Sequence, residues 1–257
     1  MSEEIGRLKE QIVDIGARLY TRGYVVAADG NISARLADGN ILTTPSGLCK
    51  GTLTPEQILL VDAEGRVLEG GLKPSSEIKM HVEAYRQRAD IKAIVHAHPP
   101  ISTGFSCAGE PLDKAILAEV ILTLGCVPIA RYGTPSTEQV AESIRELIKL
   151  HDGILLANHG ALTVGPDLMN AYFKMETIEH FAKISLVTRI LGRENVLTSE
   201  RVGELERVGR ERGIAVPALE CDSCPRVAES PERYSLTRDE LIELLEHAIR
   251  TSKRGQS

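Results

Sequence analysis

Short apolar, β-branched segments occur in this chain in two arrangements, and that mixture limits the possible folds. Some flank tight turns in pairs, as in β-hairpins, whereas others stand alone between helical stretches. The paired segments are residues 31–36 with 40–44 and 59–62 with 66–68, and the single ones are 91–95, 127–131, 153–157 and 161–164. Hairpins make antiparallel neighbours, so we predict an α/β fold, a three-layer αβα domain around a central, mainly antiparallel sheet.

Helices are predicted where apolar residues recur every three or four positions. These segments are residues 3–22, 75–88, 101–107, 114–124, 137–150 and 167–191. From about residue 199 the chain becomes charged and proline-dotted, and a last amphipathic segment follows at 237–249. We therefore predict one domain over residues 1–198 and a C-terminal helical extension over residues 199–257, which packs on the core or on a neighbouring subunit.

Charge and apolar content exclude several classes of protein. The 257 residues carry a net charge of -6, and the longest basic cluster is the pair Lys253–Arg254, so nucleic acid and anionic membranes are not expected partners. No apolar run approaches the roughly 20 residues of a membrane span, and the N-terminus is acidic and amphipathic, unlike a secretory signal. We predict a cytoplasmic protein.

The five cysteines do not suggest a disulfide framework, because Cys49, Cys107 and Cys126 lie far apart in sequence. Cys221 and Cys224 form a Cys-x-x-Cys motif. A zinc ribbon requires a second such motif, which the sequence lacks, so we interpret these two cysteines as incidental or weakly redox-active.

Three histidines are placed as metal ligands would be. His96 and His98 follow the apolar segment 91–95, and side chains two residues apart on a strand project from the same face. His159 follows a second apolar strand, Gly153–Ala157. Three imidazoles with one open coordination position are a common catalytic zinc site. The sequence therefore predicts a metal centre at these strand ends.

Small polar pairs at turns suggest an anion site. Unsatisfied backbone N–H groups and short hydroxyls at such positions can approach a phosphate closely. Glu77 directly follows the third pair, so a carboxylate able to transfer protons would lie beside the anion. The three pairs are Gly30–Asn31, Ser46–Gly47 and Ser75–Ser76.

Five motifs in order resemble the class II aldolase family, which includes L-fuculose-1-phosphate aldolase, L-ribulose-5-phosphate 4-epimerase and the adducin head domain. The similarity covers roughly residues 5–195, and the motifs are GNISARL, ILTTPSG, PSSEIKMH, VHAHPP and NHGALTVG. The resemblance implies a single α/β domain, usually a homotetramer with active sites at subunit boundaries.

The resemblance also implies roles for individual residues. One Zn²⁺ per subunit would be held by the three histidines and, in the resting enzyme, by Glu77, which also serves as the acid and base. The substrate phosphate would be held by the three small polar pairs. These assignments are metal ligands Glu77, His96, His98 and His159, catalytic Glu77, and phosphate ligands Gly30, Asn31, Ser46, Gly47, Ser75 and Ser76.

The function implied is reversible cleavage of a ketose 1-phosphate, similar to L-fuculose 1-phosphate, into dihydroxyacetone phosphate and a small aldehyde. A metal would stabilise the enediolate that forms when the carbon–carbon bond breaks. The family tyrosine that protonates the leaving alkoxide is missing from the matching segment, 114–125, where Glu119 is the nearest ionisable substitute.

Other functions stay open. A sugar-phosphate dehydratase, decarboxylase or 4-epimerase of the same superfamily could use the same metal, although Glu77 in place of aspartate favours cleavage over epimerisation. An adducin-like binding module is a further alternative, but such a module needs no His-x-His.

Overall fold

The computed structural model describes residues 2–214, 216 and 217. The chain divides into two compact units, residues 1–227 and 228–257, and all described residues belong to the first. None of the helices in this described part is long and apolar enough to cross a membrane. The helices are α1 (Ser2–Thr21), α2 (Ile78–Gln87), α3 (Pro100–Ala108), α4 (Ala118–Thr123), α5 (Glu138–Ile144), α6 (Leu168–Ile190) and α7 (Ser199–Glu211).

Eight strands form one sheet in the order β4-β3-β2-β1-β5-β8-β7-β6. Every neighbouring pair is antiparallel except β6 and β7, which are parallel. The predicted α/β class with a mainly antiparallel central sheet is thus confirmed. The strands are β1 (Asn31–Arg35), β2 (Ile41–Thr43), β3 (Leu59–Val61), β4 (Val67–Glu69), β5 (Ala93–Ala97), β6 (Ile129–Ala130), β7 (Gly153–Leu156) and β8 (Gly160–Gly165).

Two apolar cores lie on opposite faces of the sheet, because successive strand residues point to opposite sides. On β5, Val95 belongs to the core shared with α1, α3 and α6, whereas Ile94 belongs to the core shared with α2 and α5. Both residues are fully buried. Helices therefore cover both faces, which gives the three layers expected from the sequence.

Several predicted elements are shorter in the structure. Helix α2 begins at Ile78 and not at residue 75, because Ser75 N donates to Thr44 O and Pro74 bridges Pro45, which holds this segment extended. Helix α4 begins at Ala118 instead of residue 114, since Ala115 O accepts from Leu197 N. In both places a tertiary backbone contact replaces the first helical turn.

The chain beyond the sheet domain continues into α7, which packs on α4. Val202 of α7 is buried with Ala115 and Ile121 in a small third core. The predicted boundary at 198/199 stays a prediction. The predicted helix at 237–249 lies outside the described residues, as do Cys221 and Cys224.

Candidate active site

Three neighbouring strands bring the candidate ligands to one edge of the sheet. Strand β1 begins at Asn31, antiparallel β5 ends at Ala97, and β8 begins again at Gly160 on the other side of β5. In the β1–β5 register, Asn31 lies opposite His96. His98 follows β5 and His159 precedes β8, so all three imidazoles meet at this edge.

The three imidazole rings surround a common point. Their centroids lie 4.8 to 5.0 Å apart, and one ligand nitrogen from each ring lies within 4.8 Å of the others. The Nε2 atoms of His96 and His98 are 3.1 Å apart. His96 is fully buried, whereas the His98 side chain is 25% exposed. The predicted histidine triad is thus assembled, with one side open towards solvent.

A backbone contact fixes how His96 presents its ring. His96 Nδ1 lies 2.9 Å from Ala161 O, a carbonyl that can only accept a hydrogen bond, so Nδ1 carries the proton when the ring is neutral. The Nε2 lone pair then faces the other two rings, as a metal ligand requires. Burial, together with repulsion from His96 and His159, lowers the pKa of His98 to about 3. This ring is therefore a neutral donor at physiological pH.

Glu77 completes the cluster from the residue immediately before α2. Its Oε2 lies 3.1 Å from His96 Nε2 and accepts a 2.9 Å hydrogen bond from Asn31 Nδ2, while Oε1 lies 3.1 Å from His159 Nε2. Burial raises the pKa of the Glu77 carboxyl, but the imidazoles of His96 and His159 lower it by a larger amount. The pKa of Glu77 therefore lies well below its usual range. The carboxylate is ionised.

This donor set fits a divalent cation. Glu77 Oε1 is buried and makes no hydrogen bond within the described part of the chain, and it lies 3.1 Å from His159 Nε2. Three imidazoles and one carboxylate are ligands that zinc accepts. The four residues that could hold the ion are the four predicted from the sequence, namely Glu77, His96, His98 and His159.

A cavity of about 320 Å³ opens beside the cluster, and all six predicted phosphate residues line it. Glu77, His98 and His159 also contribute to its wall, whereas fully buried His96 lies behind it. Three chain segments far apart in sequence therefore share one cavity with the candidate metal ligands. The six residues are Gly30, Asn31, Ser46, Gly47, Ser75 and Ser76.

Backbone geometry explains two of the glycines. Gly30 and Gly47 have positive φ angles of 72° and 74°, which side-chain-bearing residues rarely adopt. A Cβ on Gly30 would also lie 2.8 Å from His96 O. Glycine at position 30 therefore lets this turn approach β5, the strand that carries His96.

Lys50 was not predicted and is the main addition to this site. It lines the cavity, is 1% exposed, and its Nζ donates 2.8 Å hydrogen bonds to Ala28 O and Leu48 O. Burial lowers its pKa. The ammonium thus ties together the two loops that carry Gly30 and Gly47. A lysine between Cys49 and Gly51 gave no periodic or motif signal.

Asp29 and Ser136 were also missed. Asp29 lines the cavity and its Oδ2 lies 3.6 Å from His98 Nδ1, so it can orient that ring. Ser136 also lines the cavity and has a φ of 67°, a conformation that serine rarely adopts. A Pro-Ser pair before a predicted helix is typical of a helix cap, which concealed this role.

The remaining histidines of the described chain do not join the cluster. His81 and His151 are buried and His180 is exposed. His247 lies outside the described residues. Glu119, considered as a substitute acid, lines a separate pocket with Phe173 and does not line the histidine cavity of its own chain.

Comparison with known proteins decides the family. The model of the class II aldolase and adducin N-terminal domain matches residues 10–186. This chain belongs to the class II aldolase and adducin family. The match includes every candidate ligand and phosphate residue, and it ends before α7.

Relatives of this class II aldolase family member include two kinds of enzyme. The 3-oxo-tetronate 4-phosphate decarboxylase of Escherichia coli K12 is 36% identical over 205 residues, which cover 77% of this chain and 94% of the relative. An L-fuculose phosphate aldolase of Methanococcus maripaludis is 36% identical over 178 residues, which cover 69% and 95%. The two percentage identities are equal, although the match to the decarboxylase is longer, so identity alone does not choose between the two activities.

A solved structure supports the same family. The L-fuculose-1-phosphate aldolase of Thermus thermophilus superposes with a TM-score of 0.65 at 35% identity, covering 74% of this chain and 99% of that one. The homologues of this chain in the class II aldolase superfamily are metal-dependent enzymes, either aldolases or decarboxylases.

Proposed function

We propose that this enzyme is an aldolase that reversibly cleaves a ketose 1-phosphate, of the L-fuculose 1-phosphate type, into dihydroxyacetone phosphate and a small aldehyde. The observation that carries the proposal is the position of Glu77. Its carboxylate lies 3.1 Å from His96 Nε2 and from His159 Nε2, and it lines the same cavity as the small polar pairs. Candidate metal ligands, a candidate acid–base group and a candidate phosphate site thus line the same cavity.

We propose one Zn²⁺ per subunit, held by the three histidines with Glu77 adjacent. Nitrogen-rich sets of this kind suit zinc better than magnesium or calcium, which prefer oxygen. When bound, the cation supplies Lewis-acid stabilisation of the negative charge that develops on the substrate oxygens.

Glu77 moves the proton in this proposal. Breaking the carbon–carbon bond leaves its electron pair in the enediolate of dihydroxyacetone phosphate, and the aldehyde departs. The hydroxyl that becomes the aldehyde oxygen releases its proton, and Glu77, which is ionised at rest, takes up one proton, either directly or through solvent. The resulting carboxyl group then gives this proton to the enediolate carbon, and in the synthetic direction the carboxylate removes it. Asn31, whose Nδ2 donates to Glu77 Oε2, holds the carboxylate in place.

The small polar pairs orient the substrate through its phosphate. Ser75 Oγ accepts a hydrogen bond from Glu77 N at 3.3 Å, so the proposed phosphate ligands Ser75 and Ser76 and the proposed acid–base group Glu77 lie in one turn. Lys50 adds a buried positive charge in the same wall. A phosphate held there fixes which carbon lies beside Glu77.

A decarboxylase acting on a phosphorylated 3-oxo acid is the second candidate. Loss of carbon dioxide from 3-oxo-tetronate 4-phosphate leaves the same dihydroxyacetone phosphate enediolate, and Glu77 would protonate it in the same way. Carbon dioxide leaves without proton transfer, whereas an aldehyde needs an acid and base at its own oxygen. No tyrosine lines the cavity in the described part of this chain, which favours this alternative.

Substrate comparison separates the two candidates. The purified enzyme would be incubated with dihydroxyacetone phosphate and L-lactaldehyde or glycolaldehyde, and separately with 3-oxo-tetronate 4-phosphate. We expect ketose 1-phosphate formation with an aldehyde to have the higher kcat/KM. Carbon dioxide release from the oxo acid with no aldehyde condensation would replace the aldolase proposal by the decarboxylase. If neither reaction is observed, both the aldolase and the decarboxylase proposals are contradicted.

Replacing both Ser75 and Ser76 by alanine tests the phosphate site. We expect KM for phosphorylated ketoses to rise at least tenfold, because each lost hydrogen bond to a charged group is worth roughly 1.5–3 kcal/mol. KM for unphosphorylated analogues should change little. Alanine at the exposed Ser199, the first residue of α7, serves as the control. Equal effects on both substrate classes would place the phosphate elsewhere.

We propose that the enzyme acts in the cytoplasm as a homotetramer. The described cavity is open towards solvent, and the family resemblance implies that a neighbouring subunit contributes to each site. Sedimentation or light scattering of the purified chain measures the oligomeric state directly.

A further inference from the structure

His98 lies beyond the end of the strand that carries His96. Strand β5 ends at Ala97, so the hydrogen bonds of the sheet that fix His96 do not extend to His98. The backbone N–H of His98 donates instead to Tyr24 O, at 2.8 Å. The position of this imidazole therefore depends on the loop that follows α1 and on the chain that follows residue 98.

The chain after this histidine enters helix α3 through two prolines. Pro99 precedes the helix and makes no side-chain cap, and Pro100 is its first residue. Neither proline has a backbone N–H, and Thr103 N already donates to Pro99 O at 2.9 Å. The N–H groups of the first turn that still need an acceptor are therefore those of Ile101 and Ser102.

Glu179 of α6 supplies both acceptors. Its Oε1 accepts from Ile101 N at 2.9 Å and its Oε2 accepts from Ser102 N at 2.8 Å. The residue is only 8% exposed. A carboxylate at the N-terminus of a helix is stabilised by charge-assisted hydrogen bonds and by the helix dipole. The start of α3 is therefore fixed against α6 through a single buried side chain.

A second acidic residue of α6 contacts the other segment that supports His98. Glu176 lies three residues before Glu179, on the same face of the helix, and its Oε1 lies 2.6 Å from Arg22 Nε. Arg22 precedes Tyr24 by two residues, and Tyr24 O accepts the hydrogen bond from His98 N. One face of α6 thus contacts both chain segments on which the position of His98 depends.

We propose that Glu179 is a positioning residue for the metal centre, which sets the place of His98 by fixing the start of α3. The inference rests on the proposed function, because it assumes the proposed zinc site. Glu179 does not line the cavity in the described part of the chain. His96 is held within β5, and His159 N donates to Leu156 O in the turn before β8. Loss of the Glu179 contacts would therefore displace one ligand of the three.

Glu179→Ala in the full chain tests this inference. We expect zinc to bind roughly 10- to 100-fold more weakly, which is the usual cost of removing a group that orients a metal ligand. Glu179→Gln keeps one carbonyl oxygen as an acceptor and should restore part of the affinity. The measurement is zinc dissociation in competition with a chromophoric chelator, at a temperature well below the unfolding midpoint of each variant.

Glu83→Ala separates positioning from general loss of stability. Glu83 is a buried glutamate as well, 4% exposed, but it pairs with Arg145 at the end of α5. Its replacement should lower the unfolding midpoint and leave zinc affinity at the wild-type value. Wild-type zinc affinity in Glu179→Ala, or equal weakening in Glu179→Ala and Glu83→Ala, would overturn the proposal.

The visible absorption of bound Co²⁺ gives a readout that requires no activity. At saturating cobalt, the spectrum of Glu179→Ala should change in the same direction as that of His98→Ala, because the same ligand is displaced. Glu83→Ala should keep the wild-type spectrum, and a wild-type spectrum for Glu179→Ala would contradict the inference. A wild-type chain that binds neither zinc nor cobalt would instead overturn the proposed metal centre itself, and the positioning role with it.

Discussion

Replacing His96 by alanine is expected to reduce zinc affinity by more than about 100-fold and to abolish activity at ordinary zinc concentrations. Loss of a residue that merely orients a ligand already costs roughly 10–100-fold in affinity or activity, and His96 is proposed as a ligand itself. Its ring is fully buried and its Nδ1 faces Ala161 O, so water cannot readily take over its position. Metal content after dialysis and kcat/KM are the two measurements.

His98→Ala provides a second variant with less risk to folding, because the His98 side chain is partly exposed. It should lose the same ion. His180→Ala, which removes an exposed histidine of α6, is the control and should keep wild-type metal content and activity. Undiminished zinc affinity in both ligand variants would contradict the assignment of the triad.

Replacing Glu77 by glutamine is expected to slow proton exchange at the hydroxymethyl carbon of dihydroxyacetone phosphate by about 10²- to 10⁴-fold. That is the usual contribution of a positioned acid or base. Glutamine keeps the shape of the side chain and can still accept the hydrogen bond from Asn31, but it cannot carry the proton. Solvent deuterium exchange, followed by NMR without any aldehyde present, isolates this step.

Exchange in the Glu77→Gln variant should be expressed per bound zinc, because Glu77 also lies beside the proposed ion. Glu204→Gln, at an exposed position on α7, is the matched control and should exchange at the wild-type rate. Wild-type exchange in a zinc-loaded Glu77→Gln variant would assign the proton transfer to another group. The same measurement applies to the aldolase and to the decarboxylase, since both reactions pass through the same enediolate.

Much of the candidate site followed from the sequence because its residues sit at ends of recognisable elements. His96 and His98 end a β-branched segment and His159 follows another, and antiparallel pairing of β5 with β8 brings such ends together. The turn glycines and serines were identified by the same reasoning. Helices α3 and α6 and strand β7 were therefore predicted within one or two residues of their observed ends.

The remaining features depend on contacts between distant parts of the chain. Lys50 became part of the cavity through hydrogen bonds to the carbonyls of Ala28 and Leu48, and the backbone bond from Ser75 to Thr44 delayed the start of α2. Local propensity carries no information on such pairings, so sequence reasoning did not find them.

Because β5 lies in the interior of the sheet, the candidate site combines a ligand held on a central strand with cavity residues held on surface loops. This strand is hydrogen-bonded on both sides, to β1 and to β8, so His96, which it carries, keeps its geometry even if a surface loop is replaced. Pro45, Ser46, Pro135 and Ser136 belong to loops outside that ladder. Substitutions in these loops can therefore change which substrate enters while leaving the candidate metal ligands in place, which is consistent with relatives that are named as an aldolase and as a decarboxylase.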